Sequence, residues 1–141
     1  MKPIRILLAD DHEAVRAAIR SLLRKVPEYE VCGEAADGKE TIEKTKTLRP
    51  DILLLDISFP DMNGLEVAPV IRKAVPECGI LVVSQHDPAH MRSRALRAGA
   101  QDFVSKATLS KDLLKAIHRI VSSRSESNKP PGGLNEGFAF S

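Results

Sequence analysis

The sequence predicts a doubly wound α/β fold, a parallel sheet of five strands with helices on both faces. Three observations lead there. Five short aliphatic runs alternate with five stretches of helical periodicity across residues 4–121. The run DILLLD at 51–56 carries four consecutive aliphatics, and IRILLA at 4–9 and GILVVS at 79–84 are nearly as apolar. Strands buried on both faces read this way. The chain has 141 residues, 43% of them hydrophobic. That suffices for one ordinary core and leaves no room for a second domain of similar size.

The elements follow in order. Residues 4–9 form the first strand and stop at Asp10 and Asp11. A helix over 12–25 places Ala14, Val15, Ala18, Ile19, Leu22 and Leu23 on one face and Arg16, Arg20 and Arg24 on the other. YEVCGEA (29–35) is the second strand. Asp37 caps a helix over 38–49, with Glu40 completing a capping box and Ile42 and Leu48 facing inward. Residues 51–56 form the third strand. The helix from Gly64 to about Val75 contains Pro69, which should kink it or shorten its regular part. Residues 79–84 form the fourth strand, and a weakly apolar helix over 88–98 ends at Gly99. AQDFVSK (100–106) is a short fifth strand. The helix over 110–122 carries Leu113, Leu114, Ile117, Ile120 and Val121 on one face. From Ser122 the composition turns to Ser, Gly, Pro and Asn, so residues 122–141 are expected to be a disordered tail or linker.

Composition excludes several roles. A formal net charge of +2 argues against a broad basic face for nucleic acid. Cys32 and Cys78 are too few for a disulfide framework and read as small buried apolar residues in a reducing compartment. The sequence has no apolar run of membrane-spanning length, and MKPIRILLADD is too short in apolar residues for a signal peptide. The expected location is the cytoplasm, with no membrane partner. The five aromatics are Tyr29, Phe59, Phe103, Phe138 and Phe140, so the core must be mostly aliphatic.

In an open parallel sheet, ligands bind beyond the carboxyl ends of the strands. Asp10 and Asp11 end the first strand, Asp56 the third and Ser84 the fourth, and Lys106 lies just past the fifth. Three carboxylates at one edge repel each other unless a hard cation such as Mg2+ joins them. With a lysine and a hydroxyl beside it, one of these carboxylates can act as a nucleophile toward phosphorus. Any one of these residues alone would pass for a cap, a loop hydroxyl or a solvated lysine. Four strand ends converging on one chemistry would not.

The segments ILLADDHEAVR (6–16), DILLLDISFPDMNGLE (51–66), LVVSQH (81–86) and GAQDFVSKA (99–107) resemble a CheY-like receiver domain of a two-component response regulator. The first two resemble the LuxR-type transcription-factor group. The resemblance spans nearly all of residues 3–121, taken as the domain 1–121. It implies a flavodoxin-like (βα)5 sandwich with strand order 2-1-3-4-5. It also implies that Asp56 is the phosphoacceptor, that Asp11 binds Mg2+ directly and Asp10 mainly through water, and that Ser58 offers a backbone carbonyl. Ser84 is then the switch hydroxyl, Lys106 the partner of the phosphoryl group, and Phe103 the aromatic that turns inward when the hydroxyl moves. The implied partners are a sensor histidine kinase and, on phosphorylation, a second copy of the chain. The implied role is that of a signalling switch rather than an enzyme. Output would pass through the surface of the fourth helix, fifth strand and fifth helix, where Arg92, Arg94 and Arg97 lie, either to a DNA-binding domain of roughly 60 residues outside this chain or, for a stand-alone receiver, directly to a partner.

The sequence departs from the family's pattern in places. Ala107 stands where many receivers have proline, so a trans Lys106–Ala107 peptide is expected. Phe59 replaces a common methionine. Ser58 and His86 occupy positions that tune acyl-phosphate lifetime in receivers. His12, His86, His90 and His118 lie on separate elements without zinc-ligand spacing, and His12 reads as a rim residue. A haloacid-dehalogenase-like phosphatase also uses a strand-end aspartate with Mg2+. Its Asp-x-Asp pattern is missing here, because Asp56 is followed by Ile57 and Ser58. A receiver that has lost phosphorylation would not be expected to keep all of Asp10, Asp11, Asp56, Ser84 and Lys106.

Overall fold

The alternating pattern resolves into two cores, one on each side of a single sheet. In the computed structural model, which describes residues 2–127, the strands are β1 (Ile4–Ala9), β2 (Tyr29–Ala35), β3 (Ile52–Leu55), β4 (Gly79–Ser84) and β5 (Asp102–Ser105). All neighbours are parallel, in the order β2-β1-β3-β4-β5. The helices between and after them are α1 (Glu13–Leu23), α2 (Gly38–Leu48), α3 (Gly64–Ala74), α4 (Pro88–Arg97) and α5 (Leu109–Ser127).

Because strand side chains alternate, each aliphatic run feeds both cores. Leu7, Leu53, Leu55, Ile80, Val82 and Phe103 pack with Val67, Ala68 and Ile71 of α3 and Met91 and Ala95 of α4. Ile6, Leu8, Ile52, Leu54, Leu81, Val83 and Val104 pack with Ile19 and Leu23 of α1 and Leu113, Ala116, Ile117 and Ile120 of α5. Together these place α2–α4 on one face and α1 with α5 on the other, the doubly wound arrangement expected.

Several boundaries moved, each for a local reason. Helix α1 stops at Leu23, and Ala14 and Ala18 of its expected apolar face are exposed, while Ile19 and Leu23 are buried. Asp37 caps α2 by accepting from the Glu40 amide at 2.7 Å. The Glu40 carboxylate reaches past the cap and accepts from Ala36 N at 2.7 Å, so the expected reciprocal bond shifts by one residue. Ile42 and Leu48 are only half-buried. Thr41 and Thr45 are fully buried, each satisfied by donating its hydroxyl to the carbonyl four residues back. Helix α3 is not shortened by Pro69 and runs through it. Cys78 is fully buried, but Cys32 is only partly so. It falls where the β1–β2 register skips a residue between Val31 and Gly33.

The largest correction is at the end of the chain. The expected tail began at Ser122, yet Ser122–Ser127 continue α5. Arg124 holds this extra turn by donating to the Asp51 carbonyl at 2.9 Å, a contact that sequence periodicity does not report. The rest of that expectation, residues 128–141, lies outside the described residues. Among the described residues, no helix is long and apolar enough to cross a membrane.

Candidate functional site

Strand register brings the chemistry to one edge. Ala9 pairs with Leu55, Leu55 with Val82, and Ser84 with Ser105, so the carboxyl ends of β1, β3, β4 and β5 are level. Two backbone bonds carry the alignment beyond the strands. Asp10 N donates to Ala35 O at 3.0 Å, and Asp56 N donates to Ala9 O at 2.9 Å. The site lies over β1 and β3, where the chain order of the sheet reverses.

Asp10 and Asp56 are each 3% exposed. Strand β5 ends at Ser105, and Lys106, the first residue of a 3-10 turn at Lys106–Thr108, extends its ammonium between them. Nζ lies 2.8 Å from Asp10 Oδ2 and 3.3 Å from Asp56 Oδ1. Asp56 Oδ1 also accepts from Ile57 N at 2.9 Å. Its other oxygen, Oδ2, is buried and has no hydrogen-bond partner among the described residues. Burial, and then repulsion from Asp10, push the Asp56 carboxyl above its ordinary range, against the opposing pull of Lys106 and the Ile57 amide. Burial alone would lower the Lys106 ammonium. Its hydrogen bond to Asp10 and the charges of both aspartates outweigh that, and it titrates above its ordinary value.

Asp11 is part-exposed, and its Oδ1 lies 2.9 Å from His12 Nδ1. Carboxylate oxygens of Asp10, Asp11 and Asp56 and a ring nitrogen of His12 all fall within 4.8 Å of one another. Such a cluster can hold a divalent cation, and the orphaned Asp56 Oδ2 is the kind of buried acceptor a cation would satisfy. His12 was expected at the rim. Its ring is 61% exposed, yet its nitrogen faces the aspartates. Direct sequence adjacency to the Asp10–Asp11 pair is the signal that could have placed it there.

Ser84 is fully buried, and its Oγ accepts from His86 N at 3.0 Å. Ser58 is exposed. Its hydroxyl lies 3.2 Å from His86 Nε2, linking the loops after β3 and β4. Phe103 is already inward, 1% exposed in the α3–α4 core and opposite Val82. The Arg92 guanidinium sits 5.7 Å from its ring centroid and 3.1 Å from Asp102, so this arginine of α4 is engaged rather than free. The Lys106–Ala107 peptide is trans.

Sequence reasoning missed one structural support. A Cβ on Gly64 would lie 2.1 Å from the Asp56 carbonyl oxygen and 2.7 Å from Ile57 Cα. Only glycine lets the start of α3 lie against the backbone that carries Asp56. Asn63 fixes that start by accepting from Leu65 N at 2.7 Å, and Ser58 bridges back to Asn63.

The arrangement has a known counterpart: the model of the response regulator receiver domain matches residues 6–118. This chain belongs to the response regulator receiver domain family. Among curated relatives, this receiver is 39% identical over 124 residues to the response regulator protein VraR of Staphylococcus aureus (strain NCTC 8325 / PS 47). That match covers 88% of the receiver and 58% of the relative, so the chain spans little more than half the length of its curated relatives. Among solved structures, a LuxR-family two-component response regulator from Aurantimonas sp. SI85-9A1 is 33% identical. It has a TM-score of 0.81 and covers 87% of this receiver and 88% of that chain. The response regulator domain of Thermotoga maritima CheB is 29% identical, with a TM-score of 0.78 over 92% of this receiver and all of that chain. These likenesses bear out the CheY-like, LuxR-type resemblance and the flavodoxin-like sheet. The chain is thus a receiver domain of the response-regulator kind, a signalling domain.

Proposed function

We propose that this receiver is a phosphorylation-dependent switch in which Asp56 accepts a phosphoryl group from a phosphohistidine of a sensor kinase. The observation that carries the reading is the buried Asp56 Oδ2, without a hydrogen-bond partner among the described residues, set beside Asp10, Asp11 and Lys106. An oxygen of Asp56 forms the new bond to phosphorus as the P–N bond breaks. The electron pair stays with the imidazole nitrogen, which takes up a proton, and the product is an acyl phosphate.

The donor set is all hard oxygen apart from His12, and it suits Mg2+ through Asp11, Asp56, the Ser58 carbonyl and, by way of water, Asp10. Bound there, Mg2+ supplies charge neutralisation for the transferring phosphoryl oxygens. Lys106 moves from its carboxylate contacts onto a phosphoryl oxygen. The Ser84 hydroxyl, which accepts from His86 N, retains its own proton to donate to another. Phe103 already occupies the inward position, so phosphorylation would fix that position rather than create it, shifting a population between two states. Arg92, over the ring and bonded to Asp102, couples this event to the face of α4, β5 and α5.

Output through transcription, by a DNA-binding domain outside this chain, is supported by the LuxR-family likeness and by the 58% coverage of VraR. Self-association would follow phosphorylation, and light scattering with and without beryllofluoride tests it. The acceptor assignment is tested by labelling with acetyl phosphate and Mg2+, followed by intact-protein mass spectrometry. Wild type gains one phosphoryl mass and Asp56→Asn gains none. Undiminished labelling of Asp56→Asn overturns the assignment.

A further inference from the structure

A nitrogen donor stands among the oxygen donors of the Asp56 site. His12 is the N-cap residue of α1, yet its side chain makes no capping bond, whereas Asp37, Asn63 and Asp87 cap their helices with theirs. The residue is instead held by its backbone, whose N–H donates to Asp10 Oδ1 at 2.8 Å. Its ring turns toward the aspartates, with Nδ1 2.9 Å from Asp11 Oδ1 and 3.3 Å from Asp10 Oδ1.

Those separations are informative. Two ligands at right angles on one cation, each at about 2.0–2.1 Å, stand about 2.9 Å apart. At the tetrahedral angle common for Zn2+ they stand about 3.3–3.4 Å apart, and the Nδ1 separations of 2.9 Å to Asp11 Oδ1 and 3.3 Å to Asp10 Oδ1 are compatible with these two spacings. A second, independent observation points to a cation. Asp56 is 3% exposed, and its Oδ2 has no hydrogen-bond partner among the described residues. Lys106 occupies Asp10 Oδ2 and Asp56 Oδ1, and the His12 amide occupies Asp10 Oδ1, leaving Asp56 Oδ2 and Asp11 Oδ1 as the buried oxygens without a hydrogen bond among the described residues. His86, the other histidine near the site, has its Nε2 on the Ser58 hydroxyl.

Resting on the reading of this cluster as a divalent-cation site, we propose that His12 Nδ1 is a metal ligand that makes the site favour late first-row cations, Zn2+ above all, over Mg2+. Mg2+ prefers oxygen and gains little from an imidazole. Zn2+ and Ni2+ bind imidazole strongly. The ring binds as the neutral tautomer, with Nδ1 toward the ion and its Nε2–H toward solvent. Which ion occupies the site then depends on a residue outside the acidic set.

The test uses the full chain with Mn2+ as the spectroscopic probe. Bound Mn2+ in the wild type should show nitrogen modulation in electron spin-echo spectra. That modulation should be lost in His12→Ala, retained in His86→Ala, and altered by 15N-histidine labelling, an arm that needs no variant to fold. Free Mn2+ signals then report displacement by Zn2+ and by Mg2+. The advantage of Zn2+ over Mg2+ should fall about tenfold or more in His12→Ala. Bound Mn2+ without nitrogen modulation, modulation that survives His12→Ala, or a displacement ratio that moves by less than about twofold overturns the proposal while leaving the cation site standing. If neither Mn2+ nor Mg2+ binds the wild type, the cation-site reading fails and this proposal fails with it.

Discussion

Replacing Asp56 by asparagine removes a negative charge from a place where two others already stand. Carboxylate oxygens of Asp10 and Asp11 lie within 4.8 Å of one on Asp56, so each repels it by about 3–4 kcal/mol at an effective dielectric near 20. Lys106, at 3.3 Å, attracts it by about 5 kcal/mol on the same scale. Asparagine keeps an oxygen for the Lys106 and Ile57 donors and offers its amide N–H groups to the neighbouring carboxylates. Without Mg2+, Asp56→Asn should therefore be more stable than wild type by about 2 kcal/mol at pH 7, a rise in Tm of about 5–10 °C for a domain of this size.

The pH dependence carries a sign. Asp56 titrates above its ordinary 3.8, so the folded state holds this proton more tightly than the unfolded chain does. The stability Asp56 contributes is present below its ordinary value and is lost as pH rises through its raised value. The gap between variant and wild type should therefore close as pH falls through that window. Mg2+ should narrow the gap at pH 7, since it stabilises the wild type by about 1.4 kcal/mol at ten times its Kd. Circular-dichroism melts of both proteins across pH, with and without Mg2+, measure all of this. An Asp56→Asn protein that melts at or below wild type at pH 7 without Mg2+ refutes the charge argument.

Three further outcomes are expected. Lys106→Met strands Asp10 and Asp56 as buried, uncompensated carboxylates and should cost about 3 kcal/mol in urea unfolding; a wild-type midpoint would contradict the pairing at 2.8 and 3.3 Å. Gly64→Ala forces a Cβ against the Asp56–Ile57 backbone, which cannot move as a side-chain tip can, and should cost about 3 kcal/mol by thermal melting; an unchanged Tm would refute the close approach. The Cys78 thiol is fully buried and pushed up to about 12, mainly by burial, so a thiol reagent should modify Cys32 slowly in the native protein and Cys78 only in denaturant; equal native reactivity would show that β4 opens readily at its start.

Much of this was legible because burial on two faces leaves a simple trace. Runs such as ILLL at 52–55 have no polar position, and only a central parallel strand supplies two apolar environments. The acidic and hydroxyl groups were equally legible, since they sit where such runs stop. Elements held by distant contacts were not. The last turns of α5 are composed largely of serine, and they are secured by Arg124 on Asp51, 73 residues away. Thr41 and Thr45 are polar residues of α2, yet each satisfies its hydroxyl locally and so enters the interior without penalty.

The sequence by itself determined the five-fold alternation, the doubly wound class and the strand-end residues Asp10, Asp11, Asp56, Ser84 and Lys106. All of these follow from periodicity and from where apolar runs end. Only the tertiary structure decided which of them touch. It placed Lys106 between two carboxylates, left one Asp56 oxygen without a hydrogen-bond partner among the described residues, turned His12 toward the aspartates and set Gly64 against the Asp56 backbone. Spacing along a chain fixes the face and edge a residue reaches, whereas a contact of about 3 Å depends on the register of four separate strands and the loops between them.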